Sequence, residues 1–251
     1  MAGLRIAAAQ SRTVAGDVAA NVGRHCTFID VAATVGAQLL VFPELSLTGY
    51  DLQGLANNAI AIDDARLDPL RERAASLGMT IVAGAPLANK AGLPFIGALI
   101  FHADGRTCAY RKHFLHDGEE KFAAAGSAIS KVIDVRGVPV ALAICADTAQ
   151  RQHPHAAAVA GATLYVAGSV ITPNGYDKEA ATLSGYAKLF KLGILLANHA
   201  FDTGGYTSAG RSAFWLPDGQ LLIEAPGQGE LLVLADEDSG AILPVDTRNC
   251  H

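Results

Sequence analysis

Short apolar runs alternate with helix-period segments along this chain, and paired strands joined by tight turns interrupt the alternation. Residues 4–9 read as a strand. From Asp17 a helix follows, with Val18, Val22, Cys26, Ile29 and Ala33 on one face and Gly36 beyond its end. Residues 39–42 read as a strand, 64–77 as a helix closed by Gly78, and 79–83 as a strand. Residues 95–102 and 107–111, around Asp104-Gly105, then read as a hairpin. Residues 131–135 and 138–144, around Arg136-Gly137, read as another. Helix and strand alternate again at 153–160, 164–167, 178–189 and 194–197. Strands at 212–216 and 220–223 flank Pro217-Asp218-Gly219, and 231–235 follows. A purely parallel barrel has no need of the hairpins. An α/β sandwich with helices outside two sheets accommodates both kinds of unit. With no linker or internal repeat, residues 1–251 are expected to form one domain.

Composition narrows the function. Hydrophobic residues make up 51% of the chain and charged residues 17%, which favours a packed core over disorder. The net charge is −5 and the basic residues are scattered, so no nucleic-acid partner is expected. No apolar stretch approaches the roughly 18 residues of a membrane span, and the opening residues do not read as a signal peptide. Cys26, Cys108, Cys145 and Cys250 show neither CxxC pairing nor zinc-like spacing. Reduced thiols in a cytoplasmic protein are expected, with Cys26 and Cys108 filling the core and Cys250 in the tail. His113, His116, Glu119 and Glu120 cluster loosely and read as a solvated loop or helix start, not a metal set. No phosphate-cradling glycine loop follows a strand.

Three groups stand at strand ends, where an open α/β sheet places its reactive residues. Glu44 follows Phe42-Pro43, Lys112 follows Tyr110-Arg111, and Cys145 follows Ala143-Ile144. Together they offer a base, an electrophile and a nucleophile. Taken singly, Glu44 also reads as a loop acid or cap, Lys112 as an edge lysine, and Cys145 as a small buried hydrophobe.

Their surroundings connect them. The segment Phe42-Pro43-Glu44-Leu45-Ser46-Leu47-Thr48-Gly49-Tyr50 is similar to the glutamate motif of the nitrilase superfamily, the carbon–nitrogen hydrolases. Tyr110-Arg111-Lys112-His113-Phe114-Leu115 resembles the lysine motif, and Ala143-Ile144-Cys145-Ala146-Asp147 the cysteine motif. Ile6 to Gln10, Ala197-Asn198, Gly210-x-Ser212 and Pro217-Asp218-Gly219 extend the resemblance over nearly the whole chain. Two departures stand out. Ala146 occupies a position usually aromatic in the family, which widens or reshapes the pocket. The segment 148–154 lacks the family's usual arginine-phenylalanine-proline-glutamate run.

The resemblance implies a four-layer α-β-β-α sandwich and an amidase-like enzyme, with a homodimer or larger homo-oligomer expected. It implies a second glutamate between lysine and cysteine; Glu119 aligns best and Glu120 is the alternative. In the expected scheme Glu44 takes the thiol proton and Cys145 forms a thioester. Lys112 and the backbone N–H of Ala146 hold the oxyanion, and Glu119 orients Lys112. No metal or other cofactor is required, and Tyr50 is a candidate substrate contact. The expected substrate is a small linear amide, with N-carbamoyl compounds and nitriles as alternatives. Two other readings are a silent small-ligand-binding member and a papain-like enzyme with a histidine base, drawn from His113, His116, His153 or His199. Pocket walls are expected in loops around Tyr50, 112–126, 148–153 and 173–176. Arg151 reads as a surface residue or as a partner for a substrate carboxylate.

Overall fold

The computed structural model describes residues 3–236 and 238–248; Cys250 lies outside them. The strands are β1 (Ile6–Gln10), β2 (Leu39–Val41), β3 (Thr80–Leu87), β4 (Phe95–Phe101), β5 (Thr107–Arg111), β6 (Lys131–Val135), β7 (Val138–Ile144), β8 (Leu164–Ser169), β9 (Gly193–Asn198), β10 (Ala213–Trp215), β11 (Leu221–Glu224), β12 (Leu231–Ala235) and β13 (Gly240–Pro244). The helices are α1 (Val18–Thr34), α2 (Asp68–Leu77), α3 (Ala146–Ala149), α4 (Gln152–Val159) and α5 (Pro173–Phe190).

Two sheets form, in the orders β13-β12-β1-β2-β3-β4-β5 and β11-β10-β9-β8-β7-β6. The parallel centres, β1-β2-β3 and β7-β8-β9, come from the βα units. The hairpins add the antiparallel flanks β4-β5 and β6.

Side-chain alternation explains why the central strands read as unbroken apolar runs. In β1, Ile6 and Ala8 point between the sheets, while Ala7 and Ala9 pack with Val22, Phe28 and Ile29 of α1. In β7, Leu142 and Ile144 face inward, while Ala141 and Ala143 join Ala157 of α4 and Leu183 and Ala187 of α5. Both faces of each sheet are therefore buried, as in helix-covered parallel sheets. The result is the four-layer α-β-β-α sandwich. Alanines on the outer sheet faces let the helices sit close.

Local chemistry sets the element ends. Asp17 caps α1 by accepting from the Ala20 N–H, and Gly78 ends α2 in the left-handed conformation at φ 62°. Several boundaries differ from expectation. Residues 173–176 are not a loop: α5 starts at Pro173, because proline's fixed φ suits a first helical position after extended Thr172. Similarly, 148–153 is mostly helical, spanning the end of α3 and the start of α4. β3 runs on through Gly84 and Pro86 to Leu87, its register with β4 continuing from Ala85↔Gly97 to Leu87↔Phe95. Pro86 contributes only its carbonyl, which accepts from the Ile60 N–H. The edge strand β13, largely exposed, was not anticipated. Among the described residues no helix is long and apolar enough to cross a membrane.

Candidate active site

Glu44, Lys112 and Cys145 come together where strand ends from the two sheets meet. Glu44 lies two residues past Phe42 in a turn pressed between the sheets. Gly84 of β3 and Gly168 of β8 make room for it. A Cβ on Gly84 would lie 2.4 Å from the Pro43 carbonyl oxygen, and one on Gly168 2.6 Å from that of Phe42. His199 fixes the turn by donating from Nε2 to the Glu44 carbonyl at 2.7 Å.

Lys112 follows the edge strand β5, and its side chain is fully buried. Its Nζ donates to Glu44 Oε1 at 2.7 Å and to Glu119 Oε1 at 2.8 Å. Glu119 Oε1 also accepts from the Tyr50 hydroxyl at 2.7 Å, and Oε2 from the His116 N–H at 2.8 Å. Glu119, not Glu120, therefore faces the lysine. Glu120 is exposed and accepts from the Gly118 N–H.

Cys145 sits between β7 and α3 with a positive φ of 43°, unusual for a non-glycine residue. Its N–H donates to the Gly168 carbonyl. Its own carbonyl accepts from the N–H and hydroxyl of Thr148. Ala146 occupies the first position of α3, where the N–H has no acceptor within the helix. Such strain clusters at functional positions.

Asp147 holds this turn against the lysine segment. Its carboxylate accepts from the N–H groups of Ile144, His113 and Phe114 and from the Tyr110 hydroxyl, at 2.8–3.2 Å. Tyr110 accepts in turn from His153 Nε2 at 2.9 Å, and His153 Nδ1 accepts from Tyr165 at 2.8 Å. The tautomer follows from these partners. Burial keeps His153 neutral, with its pKa lowered to about 4, so its approach to Asp147 is not an ion pair. Asp147 stood in the cysteine motif, but sequence spacing carried no sign that it ties two sheets together.

The electrostatics keep the thiol protonated at rest and make the carboxylate beside it more basic than usual. Burial raises the Glu44 pKa to about 7; Lys112 pulls it down and Glu119 pushes it up. Burial opposes the charge on Lys112, yet Glu44, Cys145 and Glu119 together hold its pKa above the ordinary lysine value. Burial, then the negative Glu44, raises the Cys145 thiol pKa, with Lys112 opposing. Glu44 Oε2 is buried with no fixed hydrogen-bond partner among the described residues, and the Cys145 thiol is near enough to act on that carboxylate. No described histidine is hydrogen-bonded to Cys145: His113 is tied to Gly126 and His153 to two tyrosines.

A cavity of about 350 Å³ opens onto Cys145, with Tyr50, His116, Thr148, Ile171, Glu179 and Tyr206 among its walls. Ala146 lines it too. Asn198 holds one wall, accepting from the Ile171 N–H and donating to the Ile171 and Gly210 carbonyls. Arg151 is exposed and does not line the cavity. Sequence reasoning missed Tyr206, Ser169 and Glu179, which arrive from distant segments. Among the described residues no group of three or more histidine, cysteine or acidic side chains is placed to hold a metal.

The carbon–nitrogen hydrolase family model matches residues 5–244. An amidase from Nesterenkonia sp. AN1 superposes with a TM-score of 0.84 at 27% identity, over 93% of this chain and 92% of that one. Its structures include one with acrylamide added at the active-site cysteine and a mutant in complex with butyramide. The glutamine-dependent NAD(+) synthetase of Mycobacterium tuberculosis is 28% identical over 249 residues, 88% of this chain. The chain spans only 35% of that protein's length. A Pseudomonas protegens protein named "hydrolase in pqqF 5′ region" is 29% identical over 88% of this chain and 78% of its own length.

Proposed function

The chain belongs to the carbon–nitrogen hydrolase family, and from that premise we propose that it is an amidase cleaving small linear amides through a Cys145 thioester. One observation carries the proposal most directly. A charged lysine is held between two buried carboxylates, and one of these has a free oxygen beside the thiol.

Because the thiol pKa is raised, little thiolate stands ready, and the proton leaves as attack begins. Glu44 takes it while Sγ bonds to the amide carbon. Lys112 and the Ala146 N–H receive the developing oxyanion; one such donor typically contributes about 3–4 kcal/mol to transition-state stabilisation. Protonated Glu44 then donates to the leaving nitrogen as the C–N bond breaks, releasing ammonia or an amine. Water attacks the thioester with Glu44 again as base, the acid departs, and Sγ recovers its proton. A pKa near 7 suits Glu44 to both directions of transfer. Glu119 holds Lys112 in place and Tyr50 holds Glu119.

The test is ammonia release from butyramide, acrylamide and glutamine, with mass spectrometry of the quenched enzyme. Cys145→Ala is expected to lose turnover while keeping the wild-type circular dichroism spectrum. An acyl adduct should appear only in proteins that retain the thiol. Undiminished turnover in Cys145→Ala rules the scheme out.

A further inference from the structure

We propose that the cavity selects amides whose acyl chain ends in a cationic amine, with Glu179 as the counter-ion; this deepens the amidase reading and rests on it. Glu179 projects from α5 as a half-buried wall of the cavity that contains Cys145. It has no hydrogen-bond or ion-pair partner within the protein among the described residues. A carboxylate so placed loses hydration without recovering it from a neighbour. Burial accordingly raises its pKa, and the Lys178 ammonium only partly opposes this. None of the residues lining the cavity is lysine or arginine. An entering ammonium would recover the lost solvation, whereas an entering carboxylate would meet an acid of its own sign.

The aromatic walls favour the same ligand. Tyr206 is 47% exposed and stands edge-on to Tyr50, with ring centroids 5.4 Å apart. Aromatic faces in a partly dry cavity attract cations. At the reacting end, the Ser169 hydroxyl is fully buried and unpartnered, and Ser169 lines the same cavity. It offers a hydrogen bond to the amide beside Cys145. The cavity thus presents a neutral polar group for the amide and a negative one for the far end of the chain. With no lysine or arginine on the wall for the α-carboxylate, glutamine is expected to be a poor substrate.

The experiment compares butyramide, 4-aminobutyramide and succinamate, which share a four-carbon acyl chain ending in a methyl, an ammonium or a carboxylate. The ω-amino series from glycinamide to 6-aminohexanamide covers the reach to Glu179. At least one ω-amino amide is expected to exceed its uncharged counterpart in kcat/KM by about tenfold, with succinamate the poorest. Glu179→Gln should abolish that preference, raising KM for the ω-amino amides by about tenfold more than for butyramide. Calorimetry of the same ligands on Cys145→Ala gives a binding readout independent of turnover. Butyramide turnover without a cationic preference overturns the selectivity and spares the amidase reading. Binding preference for the ω-amino amide, lost in Cys145→Ala/Glu179→Gln but unaccompanied by turnover, supports the selectivity and overturns the activity. Equal effects of Glu179→Gln on charged and uncharged amides also overturn the selectivity.

Discussion

At the residue scale the site depends on an excess of negative groups around one cation. Lys112 faces two carboxylates and a thiol, and this keeps it charged despite complete burial. Glu44 takes the opposite consequence: burial first, with Glu119 adding to it, lifts its pKa to about 7. In the proposed scheme Glu44 acts as a deprotonated base, so kcat/KM should rise with pH through a midpoint near 7. Removing the Glu119 charge takes away one cause of that elevation. In Glu119→Gln the acid limb should therefore move to lower pH, while kcat falls because Lys112 loses an anchor. A limb that stays in place would refute the electrostatic coupling. The glutamate, lysine and cysteine were legible because each sits in a local run at a strand end. The choice between Glu119 and Glu120 was not, since adjacent acids differ only in which way a short turn aims them.

At the element scale, small residues and one buried acid set the distances. Gly168→Ala would push its Cβ against the Phe42–Glu44 backbone. Displacement of the Glu44 turn by about 1 Å is expected to lower kcat/KM by about a hundredfold, with an overpacking cost of about 1–3 kcal/mol. Steady-state kinetics and urea denaturation check the two effects, and unchanged kinetics would show that the turn tolerates the shift. Asp147→Asn replaces an acceptor that receives four hydrogen bonds with a group that itself donates. A stability loss of about 1–3 kcal/mol or more is expected. Activity should fall as well, because the same carboxylate sets both the Cys145 turn and the segment after Lys112. Helices α1 and α2 were visible from apolar spacing and glycine ends. The first turn of α5 was hidden, because Pro173 and Gly175 resemble loop residues until Thr172 is seen to enter the helix extended.

Across the whole molecule, the sandwich buries titratable groups that keep their neutral forms. His25 has its pKa lowered to about 3, and His153 and His199 to about 4, in each case chiefly by burial. Folded pKa values below the free histidine value mean that unfolding takes up protons in acid. Stability contributed above about pH 6.5 should therefore fall as pH drops toward 4, at up to about 1.4 kcal/mol per pH unit for each histidine. Glu44 works the other way between pH 7 and its ordinary value of 4.5, because its folded form holds the proton more tightly. Asp147 and Glu179, also raised chiefly by burial, act with Glu44, and His102, lowered by burial, acts with the other histidines; the histidines, with the higher ordinary pKa, dominate across this range. Denaturation midpoints measured from pH 7 to 4.5 should decline, and a flat profile would contradict the assignment of these histidines as buried and neutral.

Most of the strand and helix order and the strand-end positions of Glu44, Lys112 and Cys145 follow from the sequence, because each is recorded in local spacing and neighbouring residue types; strand β13 and the first turn of α5 are not. Tertiary structure alone decided which glutamate meets the lysine, what clamps the cysteine turn and which acid lines the cavity. Those choices depend on contacts between segments tens to hundreds of residues apart. The burial that shifts their charge equilibria exists only once both sheets have closed over them.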